Sequence, residues 1–563
     1  MATSSPQEQR IAVIGLGAYR SPGAMGIVAV KNLLEEGFNV TGFDRNDYVG
    51  GLWHFTEDED TLSVLESTVV NVSIARGCYT DFPFQKGTPP FCPAKQVNEY
   101  LENYADHFNL RPHLRLNTVV KHVAREEESN RWRLDFELAP SEYFDKVVIA
   151  TGPHLSPVMP EINESSLFSG RIIHSKSFKR PEAFTGKKVV VLGLGNTGSD
   201  IADILVGHAS SICISHNHGA IVLPRDIDKV TGSKGFTHRF SIIIGFLERW
   251  CPSLSETLFN RKAKSIMSKA FGDVDPAWRL DPAPSVKVTN PVVSDTLIHR
   301  LRAGDIKTIP GIKKVTGPTQ LELTDGQVVE ADAIICCTGY KAGFNILDPQ
   351  VDPSAKPSIA WLKAWGSKDR PLPRLYQNVF SLKQPDSLAF LGCAWFITSA
   401  FCLADLTSMC IAQVWAGHSK LPPQPEMNRW MDQQEQRISR LAQRGTVIPA
   451  SVPAREWLVW ADRTAGMGVE EHLGWGWKGW LFWWRERPLW KMLMDGPQTA
   501  AAWRLFDGKR KKWIGARAEI ERANEVDSMA SVLAMSSPLK LDCLGRAMNH
   551  FPPLWCCPLP KRL

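Results

Sequence analysis

No Cys-x-x-Cys pair occurs among the 12 cysteines of this 563-residue chain. That excludes a dithiol redox motif and zinc knuckles, and no metal site is expected. The cysteines are scattered, apart from the neighbours Cys336-Cys337 and Cys556-Cys557, so they form no disulfide scaffold and fit a reducing compartment. A surplus of one charge sign is missing too. Lys plus Arg number 65 against 59 Asp plus Glu, a net charge of +6, which speaks against a dedicated nucleic-acid binder. The first ten residues are polar and run straight into a strand; no signal peptide fits there, and a cytoplasmic location is expected. The longest apolar run, 388–404, has 17 residues and contains Gly392, Thr398 and Ser399. It falls short of a membrane span and reads as a buried core segment. No repeat of solenoid period is present.

What is there is a globular composition, 44% apolar and 22% charged, long enough for several domains. Two segments read as strand–turn–helix units. In one, Ile11-Ala-Val-Ile-Gly15-Leu-Gly17 leads to a helical stretch over 26–36, stopped by Gly37, and a strand over 39–44 follows. In the other, Lys188-Val-Val-Val-Leu-Gly193-Leu-Gly195-Asn-Thr-Gly198 opens a helix through Ile204, before a strand over 211–215. Two further strands end on Thr-Gly, at Thr151-Gly152 and Thr338-Gly339, where small residues let backbone approach a ligand.

This order predicts an α/β fold of two dinucleotide-binding (Rossmann-like) domains, one inserted in the other. The first takes 10–180 and returns at 331–450. The second takes 181–330, with a helical insertion at about 225–285 that includes the apolar segment RFSIIIGFLERW at 239–250. That segment reads as packing on its own domain, with a lid or membrane-facing helix as the sharper alternative. Residues 451–563 form a helical, Trp-rich extension: 11 of the 20 tryptophans lie beyond residue 450, most densely at 475–490. Rings interleaved with Arg and Lys suit a packed cap, or else a membrane-surface or partner patch. From about Val526 the chain turns Ser-, Met- and Pro-rich and reads as a loose tail.

The motif Gly193-x-Gly195-x-x-Gly198 is intact. Its first glycine allows the tight turn, its second lets a pyrophosphate approach, and its third packs helix on strand. N–H groups at the helix start then hold the phosphates. An acid about 20 residues on would bind a ribose 2′-hydroxyl, but Ser215-His216-Asn217-His218-Gly219 supplies none. That leans toward a 2′-phosphate, hence NADPH, with Arg225 the nearest strong cation. The first motif keeps its acid, Asp44, but eight residues separate Gly17 from Gly26 where the motif wants two. If the excess, Tyr19 to Ala24, loops outward, Gly26 still starts the helix and a diphosphate still binds. Two such units without a thiol pair point to a flavin reduced by a nicotinamide, with oxygen as acceptor.

On these residues the chain resembles the flavin-containing monooxygenases. The family's F-x-G-x-x-x-H-x-x-x-(Y/F) signature reads Phe168-Ser-Gly170-Arg-Ile-Ile-His174-Ser-Lys-Ser-Phe178, between the two glycine motifs. Related Baeyer–Villiger enzymes end it in Trp-Pro, where this chain has Phe178-Lys179. Gly50-Gly51-Leu52-Trp53, Val70-Asn71-Val72-Ser73, Asp81-Phe-Pro-Phe84 and Cys337-Thr338-Gly339-Tyr340 match further blocks, and the likeness spans about 10–425. The resemblance implies that Gly15, Gly17 and Gly26 cradle an FAD diphosphate and Asp44 its ribose. It implies that Leu52 and Trp53 line the flavin, and that Asn71 sits at the isoalloxazine and nicotinamide as the catalytic residue. Gly193, Gly195, Asn196, Thr197, Gly198, Ser199 and Asp200 would hold NADP. Gly51, Val70, Val72, Arg225, Thr338 and Gly339 complete the cofactor-binding set, and His174 takes a structural role.

The reaction so implied reduces FAD with NADPH, forms a C4a-hydroperoxyflavin with O2, and passes one oxygen atom to a small amine or sulfide. Ketone oxygenation of the Baeyer–Villiger kind is one alternative. A non-catalytic flavoprotein-like chain, suggested by the interrupted first motif, is another.

Overall fold

The computed structural model describes residues 8–15, 24–152, 156–231, 237–356 and 358–535. Gly17 and residues 19–23 of the excess lie outside the described residues, as does the tail beyond 535. Strand β1 (Arg10–Ile14) is followed by helix α1 (Ala24–Glu35), β2 (Asn39–Phe43), β3 (Leu114–Arg115) and β4 (Lys146–Ile149). A second set comprises β5 (Arg171–His174), β6 (Lys188–Leu192), α2 (Asn196–Leu205), β7 (Ser211–Ser215), α3 (His238–Trp250), α4 (Pro252–Phe271), β8 (Lys307–Ile309) and β9 (Ala333–Cys336). The chain then returns through β10 (Leu375–Tyr376), β11 (Phe380–Ser381), β12 (Leu388–Phe390) and α5 (Ala400–Trp415).

The first sheet has the order β10-β11-β12-β4-β1-β2-β3 and the second β8-β7-β6-β9-β5. From β12 to β3 the first is parallel, as is all of the second. After their leading Arg10 and Lys146, IAVI in β1 and VVI in β4 are unbroken apolar, buried runs, which suit parallel strands covered on both faces. This is the two-sheet α/β architecture that the sequence predicts. The sheets divide the chain slightly differently. β5, inside 10–180, and β9, inside 331–450, both pair into the second sheet. All four residues of β9 are buried, so its backbone groups need partners on both edges, which β6 and β5 supply. The two connections between sheets run side by side, with Ser156 against Lys341 and Pro157 against Tyr340.

Helix α1 is buried from Ala24 to Leu33 and packs on α5, itself buried from Phe401 to Trp415. The apolar run at 388–404 is therefore β12, a turn and the start of α5. Among the described residues no helix is long and apolar enough to cross a membrane.

The extension folds as α6 (Ala454–Ala465), α7 (Val469–Leu473), α8 (Trp477–Arg485), α9 (Arg487–Asp495) and α10 (Ala516–Met535). It shares the core of the first sheet: Trp457 is buried and its indole N–H donates to the Gln377 carbonyl at 3.0 Å. Helix α10 continues past the expected start of the tail. The extension also changes the reading of α3, which packs on α4 and also on α6 and α9. Arg239 pairs with Asp495 at 2.6 Å and lies over the Trp490 ring, and a Cβ at Gly245 would meet Arg455. The apolar face of α3 is visible in the sequence; its partner, more than 200 residues on, is not.

Candidate active site

Parallel pairing brings the carboxyl ends of β1, β2, β4 and β12 to one edge of the first sheet, the edge where ligands of such folds bind. Gly15 follows β1 with φ +102°, and a Cβ there would lie 2.7 Å from the carbonyl oxygen of Ala150, at the end of β4. Gly392, after β12, has φ +80°; a Cβ on it would lie 3.0 Å from Met25 Sδ and 3.6 Å from Gly152 Cα. The ends of β1, β4 and β12 and the start of α1 thus converge closely, with glycine at two of the strand ends and the Met25 side chain against Gly392. Helix α1 begins at Ala24, two residues before the predicted start, so Gly26 lies in its first turn. Asp44 follows β2, is buried, and accepts the Asn46 N–H at 2.8 Å. Helix α5 opens on the same edge, its first turn capped by Ser399 Oγ, which accepts the Phe401 N–H. Two helix N-termini at one edge favour an anionic ligand.

Gly51, Leu52 and Trp53 form a single 3-10 turn (Gly51–Trp53), and Trp53 packs edge-on against Phe401 of α5 at 6.0 Å. Asn71 is held on both flanks: the Val70 N–H donates to Cys92 O at 3.1 Å and the Ile74 N–H to Pro90 O at 2.8 Å. Val72 lies inside the same clamp. The Asn71 side-chain oxygen Oδ1 is buried and makes no hydrogen bond. Such an orphan costs about 1–3 kcal/mol unless a ligand donor meets it.

In the second sheet Gly193 has φ +116°, and a Cβ there would lie 2.7 Å from Cys337 O at the end of β9. A Cβ on Gly198 would lie 2.1 Å from Gly193 O, whereas nothing stands within 4 Å of one on Gly195. The space over Gly195 is the approach that the motif reserves for a diphosphate. Asn196 Oδ1 accepts the Val293 N–H at 2.8 Å, Thr197 is exposed, and Ser199 Oγ is buried without a partner. Burial pushes the Asp200 carboxyl up to about 6, against the pull of Arg225. Arg225 itself pairs with Asp295 at 2.9 Å and Asp200 at 3.8 Å, so two carboxylates share its charge. His216, after β7, is buried, and burial lowers its pKa.

Thr338 and Gly339 follow β9. Thr338 Oγ1 donates to Val158 O, and the Val158 N–H donates to Gly339 O at 2.9 Å. His174 is buried, with Nε2 3.0 Å from Gly339 O and Nδ1 accepting the Lys176 N–H. It ties the end of β5 to the crossing between the sheets. The glycine cradles and the orphaned Asn71 Oδ1 and Ser199 Oγ fit two bound dinucleotides. Sequence reasoning missed the N-terminus of α5, whose only local signal is Ser399, a capping residue inside the apolar run. It also missed a buried ion cluster behind α1. There Lys31 pairs with Glu35 at 2.6 Å and with Asp81, which also pairs with Arg504 of the extension, while Arg510 pairs with Glu35.

The profile of the family described as flavin-binding monooxygenase-like matches residues 8–526. Monooxygenase aurF of Gibberella zeae is 43% identical over 519 residues, 91% of this chain and 97% of that protein. Flavin-containing monooxygenase 5 of Oryctolagus cuniculus is 29% identical over 527 residues, 91% of each chain. The structure of S-allyl-L-cysteine S-oxygenase from Allium sativum aligns with a TM-score of 0.60, at 19% identity, over 92% of this chain and 99% of that one. The last is a likeness of fold.

Proposed function

The chain belongs to the flavin-binding monooxygenase-like family and is an oxidoreductase, and from that premise we propose that it binds FAD at the first sheet and NADPH at the second to oxygenate a small nucleophile. For a sulfide the balance is R–S–R′ + O2 + NADPH + H+ → R–S(O)–R′ + NADP+ + H2O. FAD, when bound, supplies acceptance of hydride and activation of O2. Gly15 and Gly26, with Gly17 outside the described residues, would hold the diphosphate against the start of α1, and Asp44 would accept from the ribose. Gly51, Leu52, Trp53, Val70, Val72, Thr338 and Gly339 would wall the ring system, and the Trp53–Phe401 contact would help to keep water from one side of it. Gly193, Gly195, Gly198 and residues 196–200 would take NADP, with Arg225 at the rim.

The observation that carries this reading is Asn71 Oδ1, a buried acceptor clamped by backbone and left without a donor. Its amide would orient the nicotinamide and the reacting centre. Asn71→Ala is expected to keep flavin absorbance and NADPH oxidation while product formed per NADPH falls about tenfold or more, hydrogen peroxide replacing it. Wild-type yield from that variant would remove Asn71 from the site. A wild-type chain that cannot take up flavin would overturn the whole reading.

The exposed face of the extension supports a second contact. Trp475, Trp477, Trp480 and Trp484 are 60%, 72%, 50% and 73% exposed, and the last three form one stripe of α8. Arg485 and Arg487 beside them are exposed. This stripe would rest on an anionic lipid surface, rings in the interface and guanidinium groups at the headgroups. Replacing Trp477, Trp480 and Trp484 by Ser is expected to lower co-sedimentation with phosphatidylserine vesicles about fivefold without loss of flavin. Undiminished sedimentation would count against it.

A further inference from the structure

In folds of this kind the residues just after the second strand of a dinucleotide unit meet the adenosine ribose: an acid accepts from its 2′-hydroxyl, and an arginine takes a 2′-phosphate. That strand is β7, and the loop after it, His216-Asn217-His218, holds no Lys, Arg, Asp or Glu. Its three side chains are turned to other tasks. His216 is buried, with Nδ1 3.0 Å from the His218 carbonyl oxygen. Asn217 covers Gly311, where a Cβ would collide with its Oδ1. The His218 ring lies against Trp365, 5.9 Å between centroids. Arg225, the cation nearest in sequence, is shared between Asp200 and Asp295.

A cation comes to this loop from another segment. Residues Pro276–Trp278 form a 3-10 turn against β8, the neighbour of β7, with Thr308 Oγ1 3.4 Å from Ala277 O. Arg279 ends that turn, and its N–H donates to Pro276 O at 3.0 Å. The next residue, Leu280, is buried and accepts the Ala220 N–H at 3.0 Å; a Cβ at Gly219 would collide with the same carbonyl. Arg279 is therefore anchored on both sides beside the end of β7. Burial, and after it the Arg279 charge, lowers the His216 pKa, so the guanidinium stands close to the loop. Arg279 is exposed and makes no ion pair among the described residues. Its acidic neighbours are occupied: Asp275 Oδ1 accepts the Ala277 N–H at 2.8 Å, and Asp281 pairs with Lys264 at 2.7 Å. Its backbone is left-handed, φ +55°, a conformation that is uncommon for a long side chain and that clusters at ligand sites.

We propose that Arg279, carried by the insertion and not by the loop after β7, recognises the 2′-phosphate of NADPH and so sets the choice between NADPH and NADH. The inference rests on the reading of NADP at the second sheet and deepens it. A guanidinium stays charged and presents a fork that matches two phosphate oxygens. Lys368, over the Trp365 ring at 5.4 Å, is the rival cation and supplies the control.

The test is calorimetric titration of the flavin-loaded full-length protein with NADP+ and with NAD+ at pH 8.5, where an imidazole is neutral and a guanidinium is not. The wild type is expected to bind NADP+ at least about tenfold tighter than NAD+. Arg279→Asn drops the charge and tolerates the left-handed turn. It is expected to bring the two nucleotides within about twofold of each other, through loss of NADP+ affinity alone, with flavin content unchanged. Arg279→Lys is expected to keep about a third of the preference, and Lys368→Ala all of it. Equal binding of NADP+ and NAD+ by the wild type would overturn the proposal. So would an unchanged preference in Arg279→Asn, or an equal loss of both nucleotides, which is what a merely structural role of the turn gives. Should that variant fail to fold, salt decides: a preference that does not fall between about 0.05 and 0.5 M NaCl rejects a charged contact at the surface. Failure of the underlying reading looks different, since the wild type would then bind neither nucleotide.

Discussion

Gly15→Val is expected to purify as a colourless protein. Gly15 sits at φ +102°, a region that costs an L-residue about 1–2 kcal/mol and a β-branched one more. Its new Cβ would stand 2.7 Å from Ala150 O and 2.8 Å from Ala150 C. That backbone cannot yield, because the Ala150 N–H donates to Ile14 O at 2.8 Å and β4 is paired on both sides. Relief comes only from moving residue 15 outward, into the space a diphosphate needs. A loss of at least about a hundredfold in flavin affinity, near 3 kcal/mol, follows. The ratio of flavin to protein absorbance reads it directly. Gly195→Ala is the matched control. Nothing lies within 4 Å of that Cβ, so flavin should stay and only NADPH affinity should fall. Full flavin content in Gly15→Val would mean that this turn holds no diphosphate.

The parts of this site that are local in sequence are the parts the sequence makes legible. Strand, glycine turn and helix lie within about 20 residues of one another, and their spacing carries the chemistry. Asp44 can be placed because it ends the strand next to β1. Asn71 can be named from its matching neighbours, but its orphaned oxygen depends on Cys92 and Pro90 closing over it. Arg225 looks like a free cation in the sequence and is not, because Asp200 and Asp295 reach it from two other segments. The face of α3 is written in its apolar periodicity; that α6 and α9 cover it is not. Periodicity specifies which side of an element is buried and leaves open what buries it.

The longest of these connections carries the largest expected effect on stability. Asp81, its side chain 6% exposed, lies between Lys31 of α1 and Arg504 of the extension, 423 residues away. Burial pushes its pKa up, but Lys31 and Arg504 outweigh that and hold it below the usual carboxylate range. Burial also lowers Lys31 to about 8 and Arg510 to about 9. Three cations are thus packed behind the helix that carries Gly26, and Asp81 is their most buried acidic partner in ion pairing; Glu35, the other, is 37% exposed. Removing one member of a buried pair costs about 3–5 kcal/mol. Asp81→Ala should therefore lower the melting temperature by about 3–4 °C, and Asp81→Asn, which keeps the shape, should lose most of the same amount. The pH dependence has two limbs. Because the folded pKa of Asp81 is depressed, its contribution is present above the ordinary carboxylate value and is lost as pH falls through the folded one. Lys31 gives a slope of the same sign at higher pH: between about 8 and its unfolded value the native state binds fewer protons, so stability from this group also rises with pH. The double variant Asp81→Ala with Lys31→Met should recover part of the loss, since the uncompensated charge goes with the lysine. A single-variant shift below about 2 °C would show instead that water reaches the cluster and that the extension is held by its apolar contacts alone.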